Sequence, residues 1–157
     1  MDKSGPAKIL IIDDEERNVK LLGTLLQAEG YATLSAPNGR DGLAEALHKK
    51  PDLILLDVMM SEMDGFETVA WLKGDARTKN VPVIMVTALD DRDSKMRALE
   101  FGAEDFLTKP VDRAELKVRV RNLLRLKEYS DLLVNHNRIL EEKVKERTEQ
   151  LATAYRD

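Results

Sequence analysis

The chain has 157 residues, 43% of them hydrophobic, and a net charge of −4. That size suits one domain with an appendage, and that charge argues against a general nucleic-acid footprint, which needs a basic excess. The absence of cysteine excludes a disulfide frame and a thiolate metal site; with no signal region and no run approaching a membrane span, we expect a soluble, cytoplasmic protein.

Lys8 to Ile12 is a short apolar-rich run that ends on Asp13-Asp14, and it predicts a first strand. A helix is expected from Glu16 to Ala28, with Val19, Leu22, Leu25 and Leu26 on one face and Gly30 as the residue that ends it. Tyr31 to Ser35 reads as a second strand, and Pro37-Asn38-Gly39 is turn chemistry. Gly39 to Lys49 predicts a second helix with Leu43, Ala46 and Leu47 inward. Pro51-Asp52 breaks the chain before Leu53 to Leu56, an apolar run that stops at one carboxylate, Asp57. Such a run reads as a strand buried on both faces.

Gly65 opens a third helix carrying Phe66, Val69 and Leu72. Pro82 to Thr87 is a fourth strand, and Asp91 to Phe101 a fourth helix with a polar face, ended by Gly102. Ala103 to Leu107 is a fifth strand, Thr108-Lys109-Pro110 a loop, and Asp112 the N-cap of a fifth helix. Buried strands alternating with amphipathic helices mean an α/β protein with a parallel sheet covered on both faces. In open sheets of this kind, ligands bind at the carboxyl ends of the strands.

Those strand ends carry Asp13-Asp14, Asp57, Thr87 and Lys109. Taken singly, each has a structural explanation: a strand-end Asp caps helices, Thr favours strands, and a lysine before proline is ordinary loop. Taken together they are harder to dismiss. Like charges about 4 Å apart repel by roughly 4 kcal/mol at an effective dielectric of about 20. A divalent cation is the usual means of offsetting that, and carboxylate and carbonyl oxygens suit Mg²⁺. The set fits phosphoryl transfer onto an Asp oxygen, with the Lys ammonium and Thr hydroxyl directed at phosphoryl oxygens. Asp64-Gly65 reads mostly as a turn and helix start.

These pieces resemble the receiver domain of two-component response regulators. The matching stretches are Ile-Leu-Ile-Ile-Asp13-Asp14-Glu, Leu-Leu-Asp57-Val-Met-Met-Ser-Glu-Met-Asp64-Gly65, Pro82-Val-Ile-Met-Val-Thr87-Ala88 and Gly102-Ala-Glu-Asp-Phe106-Leu-Thr-Lys109-Pro110, within Ala7 to about Leu126. The resemblance implies a flavodoxin-like doubly wound sheet of order 2-1-3-4-5. It implies Asp57 as phosphoacceptor, with Mg²⁺ (or Mn²⁺ in its place) bound by Asp14 and Asp57 directly, by Asp13 through water, and by the Met59 backbone carbonyl. Thr87 and Lys109 would hold the phosphoryl group, and Thr87 and Phe106 would form the switch. The implied partner is a histidine kinase or phosphotransfer protein. Ser61 departs from the family, which commonly has Pro there, and puts loop rigidity in doubt. Met59 and Leu89 stand where the family tunes dephosphorylation; both are apolar, so slow self-hydrolysis is expected.

The helical pattern that starts at Asp112 runs to Tyr155 without Gly or Pro. Two heptad series, Leu126, Leu133, Leu140, Arg147, Ala154 and Leu123, Ser130, Asn137, Val144, Leu151, form a largely apolar seam between charged flanks. A pattern this long suggests a parallel coiled-coil dimer, with Asn137 fixing register and Arg147 weakening the seam. A solvated single helix is the bland alternative. Residues 1–126 are therefore expected to be a receiver and 127–157 a helical linker. The segment Leu140 to Leu151 also resembles connectors before HD-GYP, GGDEF or histidine kinase output domains, and the pattern's breaking off at Asp157 suggests a longer parent. His136 lacks the acidic neighbour of a phosphoacceptor histidine; Asn137 follows it.

The leading expectation is a phosphoacceptor signalling domain, not an enzyme beyond its own phosphorylation and slow dephosphorylation. It would act without nucleic acid or membrane contact, either ahead of an output domain or as a stand-alone phosphorelay or adaptor receiver. An aspartyl phosphohydrolase would want a second Asp at the position of Met59. A flavin or nucleotide module would want a phosphate loop where Asp13-Asp14-Glu15-Glu16 stands.

Overall fold

The computed structural model describes residues 5–60, 63–88 and 92–155. Its elements, in order, are β1 (Lys8–Ile12), α1 (Glu16–Ala28), β2 (Ala32–Ala36), α2 (Gly39–Lys49), β3 (Leu53–Asp57), α3 (Gly65–Gly74), β4 (Val83–Thr87), α4 (Arg92–Glu100), β5 (Asp105–Thr108) and α5 (Arg113–Ala154). All strand pairs are parallel, in the order β2-β1-β3-β4-β5. Each expected element is present. The fifth strand starts two residues later than the spacing predicted: the Ala103 N–H still donates back to the Ala98 carbonyl of α4, and the chain reaches β4 only at Glu104, whose N–H donates to the Val83 carbonyl.

Alternation along the strands sends side chains to opposite faces. Leu10, Ile12, Ile54, Leu56, Val83 and Met85 pack against α2, α3 and α4. Ile9, Ile11, Leu53, Leu55, Ile84 and Val86 pack against Leu22 and Leu26 of α1 and Leu116 and Val120 of α5. Leu53 to Leu56 are at most 1% exposed, as a strand covered on both sides must be. Gly30 ends α1 at φ +91, where its own N–H bonds the Gln27 carbonyl and the Tyr31 N–H bonds that of Leu26. Asp112 caps α5 through the Ala114 N–H.

α5 is a single helix of 42 residues, about 63 Å long at about 1.5 Å per residue. Leu123 and Leu124 are its last apolar side chains packed against the core. From Glu128 to Tyr155 every residue is exposed.

Candidate functional site at the carboxyl edge of the sheet

The strand order reverses between β1 and β3, and there the crevice opens. Ile12 pairs with Leu56, which sets Asp13 level with Asp57 at the ends of neighbouring strands. Thr87 ends β4, and Lys109 follows β5 directly. The Lys109 N–H donates to the Thr87 carbonyl at 2.7 Å, so the lysine is anchored by its backbone before its side chain turns into the crevice.

Among the described residues, Asp13, Asp14 and Asp57 form a group whose ligand oxygens lie within 4.8 Å of one another. Asp13 and Asp57 are buried; Asp14 is exposed. The Lys109 ammonium donates to Asp57 Oδ1 at 3.0 Å and lies 3.9 Å from Asp13 Oδ2. Burial pushes the Asp57 carboxyl above its ordinary value; the Lys109 hydrogen bond opposes this, and the charge of Asp13 adds to it.

The capping explanation accounts for only part of the cluster. The N-cap of α1 is Glu15, and no side chain caps that helix. Asp13 Oδ1 accepts from the Glu15 N–H at 2.9 Å, a local turn contact. Its other oxygen, Oδ2, is buried without a hydrogen-bond partner among the described residues. Even with the Lys109 ammonium 3.9 Å away, a buried carboxylate oxygen that accepts no hydrogen bond is costly, and a further cation would offset that cost. Hard oxygen donors gathered this closely fit Mg²⁺.

Thr87 is buried at the strand end. Phe106 lies on β5 opposite Met85, half-buried against the core. The Met59 side chain is 63% exposed, while its backbone hydrogen-bonds Asp57. Ser61, Leu89 and Asp91 lie outside the described residues. Asp64, expected to form part of a turn and helix start, caps α3, accepting from the Glu67 N–H at 2.8 Å. Gly65 has a further role that the sequence did not signal. A Cβ there would run into the Asp57 carbonyl oxygen and come within 2.7 Å of Val58 Cα, so the first turn of α3 lies directly against the end of β3, which carries Asp57.

The response regulator receiver domain model matches residues 9–121. The chain belongs to that family. It is 50% identical over 121 residues to the response regulator PleD of Caulobacter vibrioides, covering 77% of this chain but only 27% of PleD. It is 40% identical over 118 residues to the protein PilH of Pseudomonas aeruginosa, covering 75% of this chain and 98% of PilH. Among solved structures, the chemotaxis protein CheY4 of Vibrio cholerae superposes with a TM-score of 0.72 at 30% identity, over 76% of this chain and 99% of that one. Receiver domains are signalling domains that bind Mg²⁺ at an acidic pocket and interact with histidine kinases or phosphotransfer proteins. No helix among the described residues is long and apolar enough to cross a membrane.

Proposed function

We propose that this chain accepts a phosphoryl group on Asp57 from a histidine kinase or phosphotransfer protein and passes the change along α5. The observation that carries this is the Lys109 ammonium 3.0 Å from Asp57 Oδ1, within a cluster of three aspartates on a receiver fold. An Asp57 oxygen forms the new P–O bond as the donor's bond to phosphorus breaks and its electron pair leaves with the donor. Lys109 then has phosphoryl oxygens as well as the carboxylate to neutralise, and Thr87 donates its hydroxyl to one of them. Asp13, Asp14, Asp57 and the Met59 carbonyl are the groups that would hold Mg²⁺, which supplies positive charge to the acids and to the incoming oxygens.

Phosphorylation adds about −1.5 to −2 charges at neutral pH. Thr87 drawn toward that charge leaves room beneath β5, and Phe106 turns into it. The apolar Met59 side chain positions no water, which favours a long-lived phosphoprotein.

Residues 1–126 form the receiver and 127–157 a linker that pairs with a second copy. Support comes from the large exposed apolar side chains of the tail, among them Leu126, Leu133, Leu140, Val144 and Leu151. A lone helix rarely leaves such a stripe in water. PleD, of which this chain spans 27%, favours a receiver that feeds an output domain; PilH, of which it spans 98%, favours an adaptor without one.

The test is incubation with acetyl phosphate, with and without Mg²⁺, read by intact mass. One phosphoryl adduct should form in the parent only with the metal, and none in Asp57→Asn. Labelling of Asp57→Asn at the parent's rate would overturn the assignment.

A further inference from the structure

We propose that Lys95 is a positioning residue for the switch: its ammonium holds the Phe106 ring at the surface and so opposes phosphorylation. The inference rests on the reading of Phe106 given above.

The Lys95 ammonium lies over the Phe106 ring, 5.1 Å from its centroid. A cation over an aromatic face is attracted by the ring quadrupole. The contact joins α4 to β5.

The identity of the ring makes the contact matter. Phenylalanine has no hydroxyl with which to stay in water. A half-buried Phe beside an apolar core is drawn inward, since burying the rest of its surface is favourable. Some interaction must offset that pull if the unphosphorylated protein is to keep the ring out. The attraction between the Lys95 cation and the ring is present only while the ring faces it, because turning inward removes the face from its reach. It therefore stabilises one of two states, which is what biasing an equilibrium requires.

The other cationic side chain stacked on rings in α4 differs in this respect. Arg97 lies 4.4 Å from the Phe66 centroid and 5.7 Å from that of Phe101, two rings already packed together at 5.8 Å. Phe66 is buried and on α3, so Arg97 pins α4 to its neighbour whichever way Phe106 points. Among the described residues of α4, Ala98 alone is buried.

An exposed cation–π contact is worth a factor of roughly two to five in an equilibrium. When the inward state is the minor one, that factor appears in full in the apparent affinity of a phosphoryl mimic. The experiment measures beryllofluoride affinity in the presence of Mg²⁺ on the full chain. The variants are Lys95→Met, Lys95→Arg, Phe106→Leu, and Lys95→Met combined with Phe106→Leu, each checked for a parent-like thermal transition. Lys95→Met should bind about two to five times more tightly, Lys95→Arg like the parent, and the lysine change should have no effect once Phe106 is leucine. Removing a positive charge by itself weakens binding of an anion, so the expected change has the opposite sign to a bulk charge effect. Weaker or unchanged binding by Lys95→Met, or the same gain in both backgrounds, would overturn the role of Lys95. A parent that binds no beryllofluoride at all would instead remove the phosphoacceptor reading on which it rests.

Discussion

Lys109 donates to Asp57 across 3.0 Å, and the Asp57 carboxyl still lies above its ordinary value. Burial outweighs the lysine, and Asp13 adds repulsion. The folded protein therefore binds this proton more tightly than the unfolded chain does. Its stability contribution is most favourable below the unfolded value of 3.8, falls as pH rises through the raised folded value, and stays unfavourable above it. Asp57→Asn should thus melt a few degrees higher than the parent at pH 7 in EDTA. The gap should close as both are titrated below the ordinary carboxylate range. A variant less stable than the parent at neutral pH would contradict this account of Asp57.

Asp13 offers the second handle on the same energetics. Its Oδ2 is buried with no hydrogen-bond partner among the described residues, beside the Asp57 carboxylate. Magnesium at about a hundredfold excess over its Kd should stabilise the parent by about 2.7 kcal/mol. Asp13→Asn should gain stability without metal, because a like charge is gone, and lose most of the magnesium-dependent increment. Thermal melts with EDTA and with a magnesium series measure both quantities. An undiminished magnesium increment in the variant would mean that the metal does not use this oxygen.

Removing the cation should do the reverse. Lys109→Met takes away the strongest influence that lowers the Asp57 carboxyl. A hydrogen bond to a charged group lost from a partly buried site costs about 1–3 kcal/mol. The variant should be destabilised by that order at neutral pH and less at low pH, where Asp57 is protonated in both proteins. The pH at which acetyl phosphate labelling is half-maximal should move upward, and labelling at pH 7 should fall about tenfold or more. Parent-like labelling would show that the 3.0 Å contact has no part in the chemistry.

The tail makes a prediction about association. The exposed seam from Leu126 to Leu151 should pair two chains, so the full chain should sediment as a dimer with a concentration-dependent melt. A chain ending at Lys127 should be a monomer. Asn137→Leu should raise the melting temperature while loosening the choice of oligomer, as expected for a polar seam residue that sets register at some cost in stability. A monomeric full chain at tens of micromolar or so would sink the dimer.

The parts of this molecule that were legible in its sequence are those set by local pattern. Leu53 to Leu56 reads as a strand covered on both faces, and the Val19, Leu22, Leu26 spacing as a helix seated on one. The strand ends then followed, and with them Asp13, Asp57, Thr87 and Lys109. The parts that were not legible depend on contacts between distant segments. Strand five was expected two residues early because Ala103 and Glu104 look strand-like until the backbones of Ala98 and Val83 claim them. No periodicity reveals that the Lys95 ammonium sits on Phe106. The Asp64-Gly65 pair reads as a turn and a helix start, and α3 does start at Gly65; the second reason for the glycine lies in the chain it touches.

That second reason gives a sharp test. A Cβ on Gly65 would collide with the Asp57 carbonyl oxygen, come within 2.7 Å of Val58 Cα and 3.0 Å of Met85 Cε. Two of the three obstacles are backbone, which gives way only by moving the end of the strand that carries Asp57. Overpacking of this kind costs about 1–3 kcal/mol. Gly65→Ala should therefore lower stability by that order and slow acetyl phosphate labelling. Gly74, at the other end of the same helix, has nothing within 4 Å of its would-be Cβ. Gly74→Ala should gain roughly 0.5–1 kcal/mol from the lower chain entropy of alanine and label like the parent. If the two alanine variants melt and label alike, the close approach of α3 to Asp57 is not what requires glycine at position 65.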